Sequence, residues 1–378
     1  MPRRPTSSRP AALLLLASAL LLSACTSPAR QLPHSGMTDA TLDALAQAHR
    51  VCAVTLAIVK DRKLVTTDGA NGCARGGVRP GADKVFQAAS LSKPVFAYAV
   101  LKLAAQGKLA LDAPVMRYLP QGYRHSFSPL RPEPSELVSD PLLRAVTIRM
   151  LLNHSAGLPN WSSSPLGFKT APGTKWSYSG EGYVLLQRAV ETVSGQPLDQ
   201  LMRSQVFEPL GMRHSSYVLN EDVAAALLPG TKANGAPRTT MELRQPNAAF
   251  TLYTSTADYA RFLVAVLNDA PLLRQLGEAP VPVDPSMDLA WGLGWGLARE
   301  GDDALIWQWG NNPGYRAFVM ASPRTGDGFV MLSNSENGLK LAEPLARSIL
   351  PGEHKVFRFA MLEDDVLNLL CNSLRICL

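Results

Sequence analysis

Strand patterns occur at both ends of this chain and helical patterns lie between them, and this distribution limits the possible folds more than any other feature. Residues 51–59 and 63–67 flank a tight turn near Asp61, which predicts a β-hairpin. Four short apolar-rich segments in the C-terminal third are separated by turn residues: 287–298, 304–309, 315–322 and 328–332. We expect an α+β fold in which strands from both chain ends form one antiparallel β-sheet flanked by helices, with a mostly helical domain inserted at about residues 91–240.

Helical periodicity accounts for much of the remaining chain. Apolar residues recur at helical spacing in residues 38–50, 183–193, 197–206, 255–267 and 339–350. Ser255 or Thr256 is the candidate N-cap of the fourth of these helices. We expect one large domain over residues 38–350, followed by a C-terminal tail, 351–378, whose sequence carries no clear signal.

A serine and a lysine three residues apart open the amphipathic stretch that runs to about residue 106. On a helix, Ser90 and Lys93 share one face, so the Lys93 amine can lie beside the Ser90 hydroxyl and accept its proton. Pro94 places the pair in the first helical turn, where backbone N–H groups have no helical partner. Ser90 is therefore a candidate nucleophile at the positive end of the helix dipole. Taken alone, the pair is equally typical of a capping serine followed by a solvated lysine.

The first 24 residues have the organisation of a secretory signal peptide. Three arginines precede an apolar run at residues 11–22, and this run is too short to span a membrane. Residues 25–37 are polar and contain proline, a composition typical of a tether. We therefore expect the protein to be exported.

The end of the apolar run, Leu22-Ser23-Ala24-Cys25, resembles the lipobox of bacterial lipoproteins. This resemblance implies that cleavage occurs before Cys25 and that Cys25 is acylated, which would attach the protein to a membrane through a lipid anchor. Since the residue after Cys25 is not aspartate, the resemblance further implies the outer membrane, with the domain facing the periplasm. The alternative is a plain small-residue cleavage site.

Charge and cysteine content exclude several classes of protein. Loss of residues 1–24 would remove three arginines and no acid, so the formal net charge would fall from +6 to +3. The remaining chain has no cluster of Lys and Arg with interleaved aromatics, so we expect no nucleic-acid partner. No C-x-x-C pair or Cys/His cluster suggests a metal site. Cys52 and Cys73, at the two ends of the predicted hairpin, are candidates for a disulfide.

Four motifs occur in the order and spacing of one protein family. They are Ser90-Leu91-Ser92-Lys93-Pro94, Leu152-Asn153-His154-Ser155-Ala156-Gly157-Leu158-Pro159, Trp176-Ser177-Tyr178-Ser179-Gly180 and Pro209-Leu210-Gly211-Met212. Together they resemble the class C β-lactamases and penicillin-binding-protein-like serine hydrolases, over about residues 38–350. The resemblance implies a β-lactamase/transpeptidase-like fold, no cofactor, and catalysis through an acyl-enzyme on Ser90.

The resemblance also assigns further site residues. It places Tyr178 beside the Ser/Lys pair, where a phenol can pass a proton between nucleophile and leaving group; the alternative is a core tyrosine with a satisfied hydroxyl. The family's third motif corresponds to Gln308-Trp309-Gly310. Here Gly310 would allow the backbone to approach a substrate closely, and the N–H of Asn311 would join that of Ser90 as an oxyanion donor.

Two positions depart from the β-lactamase pattern. Gln308 stands where the family has a Lys or His, so it can offer a substrate carboxylate only a neutral hydrogen bond. Gly180 stands where many β-lactamases have an asparagine that holds the substrate's acylamide. Both departures point away from β-lactams. We expect a hydrolase of small-molecule esters, amides or D-amino-acid peptides, with a class C-like β-lactamase as the first alternative.

Two other interpretations compete with this one. Residues 153–157 nearly match the G-x-S-x-G elbow of α/β-hydrolases, but the first glycine is absent and a loop follows where a helix is needed. The alternative for His154 is a turn residue hydrogen-bonded to backbone. The second competitor is a penicillin-binding or sensor lipoprotein that keeps the fold but has lost turnover. The intact Ser90, Lys93 and Tyr178 argue against it.

Overall fold

The computed structural model describes Met1, residues 39–74 and residues 78–362. The chain divides into two units, Met1–Leu32 and Pro33–Leu378, and every element given below belongs to the second. Apart from Met1, the predicted signal peptide, Cys25 and the tether lie outside the described residues. No helix in the described part of the chain is both long enough and apolar enough to cross a membrane.

The described residues contain a large antiparallel sheet of eight strands and two small sheets of two strands each. The strands are β1 (Val54–Lys60), β2 (Lys63–Ala70), β3 (Val85–Ala89), β4 (Arg124–Ser128), β5 (Arg131–Leu137), β6 (Leu252–Ser255), β7 (Val281–Asp284), β8 (Leu289–Trp291), β9 (Gly296–Glu300), β10 (Asp303–Asn312), β11 (Tyr315–Ala321) and β12 (Gly328–Ser333). The large sheet has the order β2-β1-β12-β11-β10-β9-β8-β7. The N-terminal hairpin therefore pairs with the last strand, which confirms that both chain ends build one sheet.

Helices surround this sheet. They are α1 (Asp39–Ala48), α2 (Ser92–Ala105), α3 (Ile148–Leu152), α4 (Gly180–Ser194), α5 (Leu198–Met202), α6 (Glu208–Leu210), α7 (Glu221–Ala226), α8 (Thr256–Asn268), α9 (Ala270–Leu276) and α10 (Ala342–Ile349). Ser255 caps α8, as the sequence predicts, because its side chain accepts a hydrogen bond from the backbone N–H of Asp258. Helix α2, which follows Ser90, is buried on nearly all sides.

The large sheet separates two hydrophobic cores. Successive side chains of a strand point to opposite faces, so Ala57 and Val59 of β1 lie in one core while Leu56 and Ile58 lie in the other. The first core contains the apolar residues of α2, α4 and α8, and the second contains those of α10. Phe359, beyond the boundary drawn at residue 350, is also buried in the second core. The folded domain thus includes the first part of the C-terminal tail.

Two segments differ from the sequence-based expectation. Residues 287–298 form β8 and β9 rather than one strand, and Gly294 in the turn between them has a φ of +89°, which glycine adopts without steric cost. The mostly helical insertion also contains the hairpin of β4 and β5. Strand β5 includes Pro132 and Pro134 and is largely exposed. A strand of this kind lacks the apolar alternation from which strands are predicted.

Cys52 and Cys73 form a disulfide, as the hairpin interpretation predicts. Cys52 lies just before β1 and Cys73 just after β2, so the bond joins the two ends of the N-terminal hairpin. It closes a chain segment with a sequence separation of 21 residues.

Candidate active site

Ser90 lies in the tight turn between β3 and α2. The pairing of β3 with β6 is irregular just before this turn, and Ala89 has a φ of +49°, a left-handed conformation that costs energy for a residue with a Cβ. The Ser92 hydroxyl secures the turn, since it donates to the Ala89 carbonyl (2.5 Å) and accepts from the Leu252 N–H (3.0 Å). Ser90 is thereby held, partly exposed, at the N-terminal end of a buried helix.

The Ser90 carbonyl is held by an unusual pair of donors. Since Pro94 has no N–H, this carbonyl cannot receive the usual helical hydrogen bond from four residues ahead. It accepts instead from the Lys93 N–H at 3.0 Å and from Gln308 Nε2 at 3.3 Å. Gln308 is fully buried. In this structure its amide therefore fixes the backbone of the nucleophile, whereas the sequence grouped it with residues that contact the oxyanion and substrate.

The Lys93 amine lies beside the Ser90 hydroxyl and is removed from water. Its Nζ is 3.1 Å from Ser90 Oγ and 2.8 Å from the carbonyl oxygen of Ala249, and the residue is 1% exposed. Burial disfavours the charged form and lowers the pKa of Lys93 to about 7. Near neutral pH a large share of Lys93 is thus the free amine, which is the form that can accept a proton from Ser90.

Tyr178 completes the group. Lys93 Nζ lies 4.7 Å from the centroid of its ring. The Tyr178 hydroxyl is buried and has no full hydrogen bond to any described residue. Burial raises the pKa of Tyr178, and the nearby side chains of Ser90 and Gln308 oppose this rise without cancelling it. The phenol is therefore protonated at neutral pH, and its O–H is not committed to an acceptor in the described residues.

His154 holds the segment that carries Tyr178. Its carbonyl accepts from the Ser177 N–H at 2.8 Å and its Nδ1 accepts from the Ser179 N–H at 3.2 Å. The two rings also pack together, with 4.5 Å between the centroids of His154 and Tyr178. Burial, followed by the nearby charge of Lys93, lowers the pKa of His154 well below its ordinary value, so the ring stays neutral and Nδ1 can accept. The φ of His154 is +60°, which fits the predicted turn.

The nucleophile elbow of an α/β-hydrolase is not formed at residues 153–157. Ser155 is buried, and its hydroxyl donates to Asn153 Oδ1 at 2.7 Å rather than to a base. The His154 imidazole is bonded to Ser179, as described above. No helix begins after Ser155, since the chain continues without regular structure to residue 179. The α/β-hydrolase interpretation is therefore wrong.

Gly310 and Asn311 lie at the end of β10 next to β3. A Cβ at position 310 would lie 2.3 Å from the carbonyl oxygen of Ala88. Gly310 is thus required for β10 to pass the backbone of β3, whereas the sequence assigned its close approach to the substrate. Asn311 follows and is exposed. The Ser90 N–H has no hydrogen-bond acceptor among the described residues, which suits an oxyanion donor; the pairing with the Asn311 N–H stays a prediction.

The space beside Gly180 is occupied by Trp161, a residue to which the sequence gave no functional signal. A Cβ at position 180 would lie 2.5 Å from the Trp161 ring, so an asparagine at position 180 would require Trp161 to move. No group of three or more His, Cys, Asp or Glu side chains in the described residues is placed to hold a metal ion.

Comparison with known proteins shows what this chain is similar to. The Beta-lactamase family model matches residues 38–352. Esterase EstB of Burkholderia gladioli is 35% identical over 230 residues, which cover 49% of this chain and 55% of EstB, about half its length. Penicillin-binding protein 4 of Amycolatopsis lactamdurans is 30% identical over 313 residues, 72% of this chain and 76% of that protein. The structure of a D-amino acid amidase from Ochrobactrum anthropi SV3 superposes with a TM-score of 0.66 over 82% of this chain and 95% of that one; at 22% identity, this likeness concerns the fold.

Proposed function

We propose that this chain, which belongs to the beta-lactamase family, hydrolyses small-molecule esters or amides through an acyl-enzyme on Ser90. The observation that carries the proposal is the Lys93 amine, buried and with its pKa lowered to about 7, at 3.1 Å from the hydroxyl of a partly exposed serine. Similarity to an esterase and, in fold, to a D-amino acid amidase supports this substrate class.

The geometry suggests the following order of steps. The neutral Lys93 amine takes the Ser90 proton while Oγ forms a bond to the substrate carbonyl carbon. The carbonyl oxygen becomes an oxyanion and accepts from the Ser90 N–H. The bond to the leaving group then breaks, and Tyr178 passes the proton to the departing atom. Water attacks the acyl-enzyme with the same groups in reversed roles, releasing the acid and restoring the serine.

We further propose that neutral acyl esters and small amides are better substrates than penicillins and cephalosporins. A charge-assisted hydrogen bond to a substrate carboxylate contributes about 1.5–3 kcal/mol, roughly ten- to a hundredfold in rate or binding. Gln308 offers no charge, and its amide already donates to the Ser90 carbonyl. The side-chain amide of a Tyr-x-Asn motif is absent as well, and Trp161 fills the space beside Gly180.

The deciding measurement is kcat/KM for a short-chain nitrophenyl ester and for a chromogenic cephalosporin. We expect the ester value to exceed the cephalosporin value by at least about tenfold. The Ser90→Ala variant should lose both activities, while Ser155→Ala, the matched control, should keep them. Faster cephalosporin hydrolysis would instead support a class C-like β-lactamase.

A penicillin-binding sensor is the second candidate, and similarity to penicillin-binding protein 4 over 72% of this chain favours it. A protein of this kind would acylate but would not release the acyl group. Labelling of Ser90 by a penicillin with one-to-one stoichiometry, without turnover of any ester, amide or D-amino-acid peptide, would support the sensor and contradict the hydrolase.

We also propose that the protein is exported and is anchored to the outer membrane, facing the periplasm, through an acylated Cys25. The proposal rests on the Leu22-Ser23-Ala24-Cys25 ending of the apolar run. The disulfide between Cys52 and Cys73 is compatible with an oxidising compartment. Mass spectrometry of the processed protein should find a lipid-modified Cys25 at its N-terminus, and Cys25→Ser should release the protein into the soluble fraction. An unmodified N-terminus downstream of Cys25 would contradict the proposal.

A further inference from the structure

We propose that Trp161 and Phe250 form an acyl-group subsite that selects substrates with an apolar acyl chain. This inference rests on the proposed hydrolysis at Ser90 and adds to it the class of acyl group. The Trp161 ring meets Phe250 edge to face, with 5.4 Å between the ring centroids and an interplanar angle of 79°. We call this pair of rings the aromatic step.

The aromatic step adjoins the catalytic group on two sides. The Trp161 ring lies against Gly180, two residues after Tyr178. Phe250 directly follows Ala249, whose carbonyl accepts a hydrogen bond from Lys93 Nζ. One ring therefore contacts the segment that supplies the Tyr178 phenol, and the other belongs to the segment whose Ala249 carbonyl holds the Lys93 amine. In the proposed subsite, one substituent of a substrate whose carbonyl carbon reaches Ser90 lies against this step.

Hydrogen bonds hold the loop that carries Trp161, because both sequence neighbours of Trp161 are bonded to the start of α4. The Asn160 side chain accepts from the Gly180 N–H at 3.0 Å, and the Asn160 carbonyl accepts from the Glu181 N–H at 3.0 Å. On the other side, the Ser162 N–H donates to Glu181 Oε1 at 2.9 Å. Three hydrogen bonds thus hold the loop on both sides of Trp161.

The backbone of Phe250 is also held by a hydrogen bond, in this case from strand β10. Asn312, near the end of β10, donates to the Phe250 carbonyl at 3.4 Å and to Gln87 Oε1 at 2.9 Å. Despite these constraints, Trp161 remains 38% exposed. An aromatic surface that is open to water gains free energy when an apolar group covers it, because apolar area is removed from water. This chemistry favours an alkyl or aryl acyl chain over a charged or strongly polar one.

The first test compares nitrophenyl acetate with nitrophenyl hexanoate. Wild type should prefer the hexanoate. Trp161→Ala should lower kcat/KM for the hexanoate by at least about tenfold and change the acetate value by less than about twofold, while Trp161→Phe should keep much of the preference. Leu142→Ala is the matched control, since Leu142 is equally exposed, at 39%, and lies in another part of the fold. Equal losses on both esters, or no loss, would overturn the inference.

The second test uses the contact between Trp161 and Gly180. Gly180→Asn should displace the Trp161 ring and reduce hexanoate turnover, and circular dichroism should show whether the variant is folded. Combined with Trp161→Ala, the asparagine should reduce hexanoate turnover no further than Trp161→Ala alone. Non-additive losses of this kind would support the proposal that the aromatic step lines the substrate site. Strictly additive losses would contradict that proposal.

Failure of the proposed function would look different. If wild type hydrolyses neither ester and no amide or D-amino-acid peptide, the hydrolase proposal is wrong. The subsite is then tested by the rate at which methylphosphonate and hexylphosphonate nitrophenyl esters label Ser90. Labelling needs the nucleophile but no deacylation. A hexyl preference that Trp161→Ala removes supports the subsite, and equal labelling rates overturn it. A Ser90 that reacts with neither probe overturns both proposals.

Discussion

The inner side of Ser90 is the side of Lys93 and Gln308, and the outer side is the side of Trp161 and Asn311. The two sides differ in burial, in hydrogen bonding and in how far their residues match the β-lactamase pattern. On the inner side, Lys93 and Gln308 are buried, and each makes a hydrogen bond to Ser90. On the outer side, Trp161 and Asn311 are exposed. The inner side keeps the Ser, Lys and Tyr of the family and departs from it at Gln308, while the tryptophan against Gly180 occupies the outer side. If the proposed function holds, the buried residues set the chemistry and the exposed residues set which molecules reach it.

Two buried tyrosines also hold the inner side in place. The Tyr217 hydroxyl donates to the Ser92 carbonyl at 2.6 Å, and the Tyr259 hydroxyl donates to the Leu91 carbonyl at 3.1 Å. Both tyrosines are fully buried. These contacts fix the first turn of α2 and thereby the position of the nucleophile, which is the form of preorganisation that catalysis requires.

The largest expected effect comes from breaking the inner side. Ser90→Ala, Lys93→Ala and the double variant should each lower ester kcat by at least about a thousandfold, and the losses should not add, because the serine is a poor nucleophile without its base. Lys102→Ala is the matched control, since Lys102 is a partly exposed lysine on the same helix. Near-normal turnover by Lys93→Ala would show that another group acts as the base.

The pH dependence of ester kcat/KM tests the role of Lys93 without a mutation. Only the neutral amine of Lys93 accepts a proton, so ester kcat/KM should rise with pH and reach half its maximum near the pKa of about 7. Two pH units below this value, the rate should be about a hundredfold below the plateau. Ser90→Ala provides the blank for spontaneous ester hydrolysis at high pH. A rate that is flat between acid and neutral pH would contradict the assignment of Lys93.

Substitution of Gln308 should have a smaller effect on ester hydrolysis. The effect distinguishes a role in positioning Ser90 from a role in binding the substrate. Gln308→Met removes the hydrogen bond to the Ser90 carbonyl and keeps the side-chain size, and loss of one such bond corresponds to roughly tenfold. If Gln308 positions the nucleophile, kcat should fall and KM should change little. A raised KM with unchanged kcat would place Gln308 on the substrate side, as the sequence interpretation had it.

These sites also show how far the sequence could predict the structure. Local spacing predicts the Ser90/Lys93 pair, because residues three apart on a helix must share a face. The sheet is predictable as well, since β1 and β12 are short apolar segments bounded by turns. The partner of Gln308 is not predictable, because the two bonded residues are 218 positions apart. Trp161 lies in a loop, and its contact with Gly180 leaves no periodic pattern in the sequence.

The smallest effect on rate is expected at the disulfide, which belongs to neither side of Ser90. The bond between Cys52 and Cys73 closes a segment of 21 residues at the N-terminal hairpin, and a closure of this length contributes about 3 kcal/mol by restricting the unfolded chain. The variant with both cysteines changed to serine should therefore unfold at a lower Tm. Its ester kcat/KM at 25 °C should equal that of wild type, because the inner and outer residues keep their contacts. Reducing agent should lower the Tm of wild type towards that of the variant and leave the variant unchanged. Loss of kcat/KM without loss of Tm would mean that the hairpin influences the site directly, and the separation drawn between stability and chemistry would not hold.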